Sequence, residues 1–165
     1  MKFILIDKIC SIEPGRRIVA SKNLSLAEEY LQDHFPAFPI LPGVLMIEAA
    51  TQAAAWLVRV TQNWSRSIVV CSAAKNVKYS SFVKPGQTLR CEVEAMRIDE
   101  DTAKVKFAGY VGDTQNVSGR LELSCFNLVD RAGYLADADA SILAEQRKQF
   151  ELVGGPAALE AACGA

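Results

Sequence analysis

The stretch from residue 34 to residue 60, HFPAFPILPGVLMIEAATQAAAWLVRV, constrains the fold of this chain more than any other. Its first part carries three prolines, each of which fixes its own φ and pushes the preceding residue towards extended geometry. We therefore predict a stiff loop over residues 34–42, which carries the only histidine of the chain, His34. After Pro42-Gly43 the sequence is rich in Ala, Leu and Met, which predicts a helix of about four turns.

The predicted helix is apolar on nearly every side, as is typical of a helix buried in a core. Its polar exceptions are Glu48, Thr51 and Gln52, and their spacing places them on one face. Burial would disfavour ionisation of a lone carboxyl group, which is how a general acid is kept protonated near neutral pH. Alternatively, Glu48 is a partly exposed acid that points at solvent, and His34 is a loop histidine with a structural hydrogen bond.

Composition excludes several classes of protein. The 165 residues suit one domain with a substantial core. The 18 basic residues nearly balance the 19 acidic ones, so nothing indicates disorder or a nucleic-acid-binding surface. The five cysteines are scattered and lack a CxxC pair, which argues against a disulfide framework and a zinc site and fits a reducing cytoplasm. The longest apolar segment, residues 38–58, is interrupted by Pro, Gly, Glu and Gln, so it favours a core helix over a membrane span.

Strand-like runs lie on both sides of the central helix. Residues 2–12 and 16–23 are predicted to form a hairpin, and residues 24–32 a short helix. Four further runs rich in Val, Ile, Leu and aromatic residues, separated by turn sequences, cover residues 67–80, 87–98, 102–111 and 115–128. Alternating polarity in these runs favours antiparallel strands with one solvated face. The order of elements predicts an α+β fold whose antiparallel sheet curls around the helix.

Residues 131–165 differ in character from the rest and are predicted to be a C-terminal extension. Residues 137–153 have the pattern of a weakly amphipathic helix, and the small residues of 154–165 suggest a loose tail. No chemistry is visible in this extension, and a packing helix is favoured over a partner-binding role.

The central motif resembles the β-hydroxyacyl-acyl carrier protein dehydratases of type II fatty acid synthesis, the FabZ/FabA-type hotdog family. Histidine, Phe-Pro, Pro-Gly and a carboxylate follow one another in the family's order, with fourteen residues from His34 to Glu48. FILIDKI and EPGRRIVASKNLS add to the resemblance, which covers residues 3–129. It implies a hotdog domain over residues 1–130, with a curled six-stranded antiparallel sheet around one long central helix.

The resemblance also implies roles for individual residues. His34 matches the catalytic base and Glu48 the catalytic acid. The Gly43 amide matches the donor to the thioester carbonyl, and Gln52 matches the residue that orients the carboxyl group. The implied reaction converts a (3R)-3-hydroxyacyl-acyl carrier protein into the trans-2-enoyl form, without a metal ion or organic cofactor. In the family, the histidine and carboxylate of one site come from different subunits of a homodimer, and such dimers often assemble into hexamers as trimers of dimers.

The acyl chain and the carrier protein each need a surface. Candidates for lining the acyl site lie beside the helix, although buried apolar residues are core by default; they are Phe35, Val44, Leu45, Ala55 and Trp56. A basic rim would attract an acidic carrier protein, and Lys75, Lys78 and Lys84 could form it or simply be a solvated strand edge.

One departure from the family pattern leaves other functions open. Ala37 stands where the family usually has the glycine of His-Phe-Pro-Gly. If that position needs positive φ, alanine is strained there by about 1 to 2 kcal/mol. A hotdog acyl thioesterase would instead activate water and release free thiol. A non-catalytic acyl-binding protein would be favoured if Ala37 reflects decay of the site.

Overall fold

The computed structural model describes residues 3–163 of the chain. Its helices and strands, named here in chain order, are β1 (Lys8–Glu13), β2 (Arg17–Asn23), α1 (Tyr30–Asp33), α2 (Gly43–Thr61), β3 (Ile68–Tyr79), β4 (Thr88–Ile98), β5 (Thr102–Val111), β6 (Thr114–Phe126), α3 (Ala136–Leu152) and α4 (Gly155–Cys163). Two short 3-10 turns, Leu128–Asp130 and Gly133–Leu135, connect β6 to α3.

The six strands form one antiparallel sheet in the order β1-β2-β4-β5-β6-β3. β1 and β3 occupy its two edges and do not pair with each other, so the sheet is not closed. α2 contacts all six strands. One helix can touch every strand of such a sheet only if the sheet curls around it, so the predicted α+β fold with one central helix is confirmed.

The core lies between α2 and the concave face of the sheet. On α2 the buried face is built largely from small residues, which allow the strands to approach closely: Ala49, Ala50, Ala53, Ala54, Leu57 and Val58. β4 and β5 alternate buried and exposed positions along most of their length, as the sequence predicts. By length and composition α2 could cross a membrane, but 61% of its apolar window is buried inside the protein, as in any core helix.

The first strand begins at Lys8 and is shorter than predicted, because the apolar residues before it bind to α2. Residues 3–7 form no strand. The Leu5 amide donates to the side chain of Gln52 on α2 at 2.9 Å, and the Asp7 carboxylate accepts from the Asn23 amide at 2.5 Å. Leu5 and Ile6 are both buried, so successive side chains do not alternate there as in a strand facing solvent on one side.

The short helix predicted for residues 24–32 is reduced to the single turn of α1. Glu28, which would complete a capping box with Ser25, instead pairs with the buried amino group of Lys22 at 2.5 Å. Without that box the chain runs through turns until α1 begins.

The C-terminal extension packs against the sheet and ends in a helix, where the sequence predicts a loose tail. α3 lies where a helix is predicted, but residues 155–163 form α4 rather than a loose tail, and residues 164 and 165 lie outside the described part. Gly154 allows the sharp turn with φ +83°, and a Cβ on Gly155 would clash with the Phe150 ring. The Ile9 amide of β1 donates to the Val153 carbonyl at 2.8 Å. Packing of α4 against β1 thus orders a segment whose composition alone suggests disorder.

Candidate active site

His34 is held at the start of a tight turn that follows α1. Phe35 has φ +49°, the left-handed region, and its carbonyl accepts from the Phe38 amide at 2.8 Å. The rings of His34 and Phe35 lie 4.5 Å apart between centroids. Such a conformation costs a non-glycine residue about 1 to 2 kcal/mol, so the strained position of the motif is Phe35. Ala37 has no positive φ, and alanine is therefore not strained in this loop.

The His34 side chain opens into a cavity of about 350 Å³. Gly43, the first residue of α2, lines the same cavity, and the amide of a first helical residue has no acceptor within the helix. The Tyr79 ring covers Gly43 so closely that a Cβ there would lie 2.8 Å from Cε1. Burial raises the pKa of Tyr79. The remaining walls are mostly apolar and comprise Phe35, Ile40, Leu41, Met46, Ser80, Ser81 and Phe82.

Glu48 is oriented by Gln52, one helical turn further along α2. Gln52 Nε2 donates to Glu48 Oε1 at 2.9 Å and to the Phe3 carbonyl at 3.1 Å. Gln52 Oε1 accepts from the Leu5 amide at 2.9 Å. The segment of residues 3–5 thus fixes the glutamine amide, which fixes one oxygen of the half-buried Glu48.

Glu48 and His34 do not share a cavity within one subunit. Glu48 lines a second, narrower cavity of about 180 Å³, together with Thr51, Gln52, Ala55, Trp56 and Arg59 of α2. Phe3, Ile4, Val69, Gln146 and Gln149 complete its walls. One chain therefore places the candidate base and carbonyl donor in one cavity and the candidate acid in another.

The predicted acyl-site residues divide between these two cavities. Phe35 lines the His34 cavity, and Ala55 and Trp56 line the Glu48 cavity. Val44 and Leu45 line neither of them; Val44 is 68% exposed and Leu45 packs against the core.

The three lysines of the predicted basic rim are also separated. Lys84 lies over the Phe38 ring, 5.6 Å from its centroid, whereas Lys75 pairs with Glu122 at 2.8 Å. Lys78 is exposed on β3. Of the three, Lys84 is beside the aromatic side chains that surround the His34 cavity, because Phe38 packs edge-on against Phe82.

The sequence did not predict a place in these cavities for Arg59 of α2, Tyr79 of β3, or Gln146 and Gln149 of α3. Arg59 continues the polar stripe of Glu48, Thr51 and Gln52 at helical spacing, so that periodicity could have revealed it. Tyr79, Gln146 and Gln149 come from other elements, and no local pattern points to them. No cluster of three metal-binding side chains occurs among residues 3–163.

The sequence matches one known family. A family model described as a FabA-like domain matches residues 1–145. The 3-hydroxyacyl-[acyl-carrier-protein] dehydratase FabZ of Clostridium kluyveri is 38% identical over 119 residues, which cover 72% of this chain and 83% of that protein. The enzyme of the same name from Symbiobacterium thermophilum is 38% identical over 130 residues, 79% of this chain and 89% of that protein.

Solved structures with the same fold include a dehydratase and a thioesterase. The dehydratase heterocomplex ApeI:P from Xenorhabdus doucetiae has a TM-score of 0.66 at 17% identity, covering 81% of this chain and 90% of that chain. A variant of the fluoroacetyl-CoA-specific thioesterase FlK has a TM-score of 0.58 at 14% identity, covering 78% and 98%. At these identities the likeness shows the fold alone, and it confirms the predicted hotdog fold.

Proposed function

Since this chain belongs to the FabA-like family, we propose that it dehydrates (3R)-3-hydroxyacyl-acyl carrier protein to the trans-2-enoyl form in type II fatty acid synthesis. Two curated relatives that are 38% identical over more than two thirds of the chain carry the name of this activity. The observation that carries the proposal for the site is the hydrogen bond from Gln52 to Glu48 at 2.9 Å. It gives an otherwise isolated carboxyl group a fixed orientation in a cavity.

The first half of the proposed reaction uses His34 and Gly43. The imidazole removes a proton from C2 of the substrate, a role for which histidine suits neutral pH. Negative charge then grows on the thioester oxygen, and the Gly43 amide donates a hydrogen bond to it at the positive end of α2. Loss of one such donor typically lowers kcat by about 100- to 1,000-fold.

The second half uses Glu48. Its carboxyl group gives a proton to the hydroxyl on C3, the C3–O bond breaks, and water leaves as the double bond forms between C2 and C3. The imidazolium returns the proton taken from C2 to solvent, and the Glu48 carboxylate takes one up, which restores both groups. Gln52 keeps the Glu48 oxygen directed at the leaving group.

The two cavities support a site shared between two subunits. In the proposed homodimer, His34 and Gly43 of one subunit face Glu48 of the partner subunit. β3 offers a free sheet edge for such pairing, and its Val70 is 45% exposed. Further assembly of three dimers into a hexamer would leave each shared site intact.

The partner that delivers the substrate is acyl carrier protein, which is acidic in such systems and is attracted by basic side chains. Lys84, over the Phe38 ring, is the best placed of the predicted lysines for this contact. We place the enzyme in the cytoplasm, which suits the free thiols of Cys10, Cys71, Cys91 and Cys125.

The proposal is tested by incubating the protein with 3-hydroxyacyl carrier proteins of several chain lengths and following loss of water by mass. Glu48→Gln is expected to abolish enoyl formation, and Glu151→Gln, at an exposed position on α3, is the matched control. Release of free thiol without enoyl product would assign a thioesterase instead. Binding of every substrate without turnover would leave a non-catalytic acyl-binding protein.

A further inference from the structure

Arg59 of α2 is a buried cation. Only 7% of its surface is exposed, and it forms no ion pair with any residue in 3–163. Its Nη2 donates a long hydrogen bond of 3.5 Å to the Ser67 carbonyl, and its buried Nε has no partner in the same part of the chain. Burial lowers the pKa of Arg59 to about 10, so the guanidinium remains charged at neutral pH. The guanidinium lies over the Trp56 ring, 5.5 Å from its centroid, which attracts the cation. A buried charge without a counter-charge is still costly to the fold, so it favours binding of an anionic ligand or partner.

The guanidinium of Arg59 lines the same cavity as Glu48. The α2 residues that line this cavity are spaced along one face of the helix, from Glu48 to Arg59. Eleven residues of helix separate these two positions by about 16 Å. Between them, Ala55 and the buried Trp56 provide an apolar wall, and Val69 of β3 lies in the same lining. The cavity therefore has an acid at one end, an apolar middle and a cation at the other end.

Three further polar side chains line this cavity, those of Thr51, Gln146 and Gln149. The Thr51 hydroxyl is buried without a hydrogen-bond partner among the described residues, with only the Cys71 thiol, a weak acceptor, beside it. Gln146 and Gln149 of α3 add amide groups to the lining. A cavity for a plain hydrocarbon tail would not need these donors, whereas a tail with polar oxygen atoms would use them.

We infer that Arg59 binds a carboxylate at the far end of the substrate's acyl chain, so that the preferred substrates are 3-hydroxyacyl thioesters that end in a carboxylate. This inference rests on the proposed function, because Glu48 marks where C3 of the substrate lies. A carboxylate can accept two parallel hydrogen bonds from one guanidinium. It would engage the Nε that has no partner within residues 3–163 and neutralise the buried charge. An extended chain advances roughly 1.2 Å per bond, so about a dozen bonds connect the two ends.

The test compares two 3-hydroxyacyl carrier proteins of equal chain length, one ending in a methyl group and one in a carboxylate. We expect kcat/KM for dehydration to favour the carboxylate-ended substrate by roughly 10- to 100-fold, the range for a charge-assisted hydrogen bond. Arg59→Met is expected to remove this preference, and Arg59→Lys to retain part of it. Arg147→Met is the matched control, because Arg147 stacks on Trp64 at 4.6 Å and lies outside the cavity.

Failure of this inference differs from failure of the dehydratase proposal. Preference for the methyl-ended substrate, or a ratio unchanged by Arg59→Met, would overturn the role of Arg59 while dehydration persists. An unchanged ratio together with loss of the dimer in Arg59→Met would assign the charge to a subunit contact instead. Equal preference for a chain ending in a hydroxyl group would overturn a site for a carboxylate.

Binding is measured separately from turnover with the Glu48→Gln protein. We expect the 3-hydroxyacyl carrier protein that ends in a carboxylate to raise the melting temperature of the Glu48→Gln protein more than the one that ends in a methyl group. Adding Arg59→Met should abolish that difference. This result would support the carboxylate site even if neither substrate is dehydrated by the unmodified protein. Equal shifts with both ligands would refute it.

Discussion

Replacing Gln52 with methionine tests the arrangement that orients Glu48. The side chains have similar size, so the change mainly removes hydrogen bonds. Two of them join Gln52 to the backbone of Phe3 and Leu5, at 3.1 and 2.9 Å. At about 1 kcal/mol each, their loss lowers the free energy of unfolding by about 2 kcal/mol. For a chain of this length, that corresponds to a fall in melting temperature of about 4 to 8 °C.

The third hydrogen bond, from Gln52 to Glu48 at 2.9 Å, affects activity rather than stability. Without it the carboxyl group samples several orientations, and we expect kcat to fall roughly tenfold, equivalent to about 1.4 kcal/mol in the barrier. Melting is followed by circular dichroism and kcat by enoyl formation, with Gln115→Met on exposed β6 as the control. A normal kcat together with the lower melting temperature would show that Gln52 only anchors the N-terminal segment. No change in either quantity would refute the whole arrangement.

Three further predictions concern the glycine at the start of α2, the loop alanine and a buried aspartate. Gly43→Ala should force the Tyr79 ring away, because a Cβ would lie 2.8 Å from it. Since that ring is 51% exposed and can move, we expect a loss of about 1 kcal/mol in unfolding free energy, and an unchanged urea midpoint would contradict this. Ala37→Gly should lower stability by about 0.4 to 1 kcal/mol through added chain entropy, whereas a higher melting temperature would show that the position favours glycine. Asp139 accepts hydrogen bonds from the Ser67 hydroxyl and from the amides of residues 128 and 129. Burial acts to raise the pKa of Asp139, but these hydrogen bonds outweigh burial, so the pKa lies below its usual value. Its stabilising effect is therefore present above the ordinary aspartate pKa and is lost as the pH falls through the lower folded-state value. Urea unfolding should show Asp139→Asn less stable than the unmodified protein at pH 7, and the gap should shrink in acid; a gap independent of pH would contradict this sign.

Periodicity was sufficient to predict most of the sheet. Along most of β4 and β5 every second residue faces the core, and the observed ends, Thr88–Ile98 and Thr102–Val111, lie within a residue of the predicted ones. The apolar run of residues 3–7 has the composition of a strand but forms none. Its backbone is fixed by Gln52, 47 positions away from Leu5, and no local pattern can reveal such a partner.

The candidate site was predictable where it depends on one helix and unpredictable where it depends on several elements. The pairing of Glu48 with Gln52 follows from the i,i+4 spacing. The separation of Glu48 from His34 into two cavities agrees with the site shared between two subunits that the family resemblance implies, but no local pattern of the sequence shows it. Whether alanine at position 37 is strained was left open by the sequence, and the positive φ lies at Phe35 instead, because the turn that closes on Phe38 sets the backbone of the loop.

The packing of α4 against β1 limits how far this sheet can grow. An uncovered edge strand is a template for adding further chains, and a sheet with two such edges can polymerise. Here the last helix lies against one edge, and the Ile9 amide of β1 is already bonded to Val153. Among the described residues β3 is the edge that no helix covers in this way, and a proposed pair joined at β3 would have β1 and its covering helix at both ends. In the proposed homodimer, α4 would therefore shield the two outer edges of the combined sheet from further pairing.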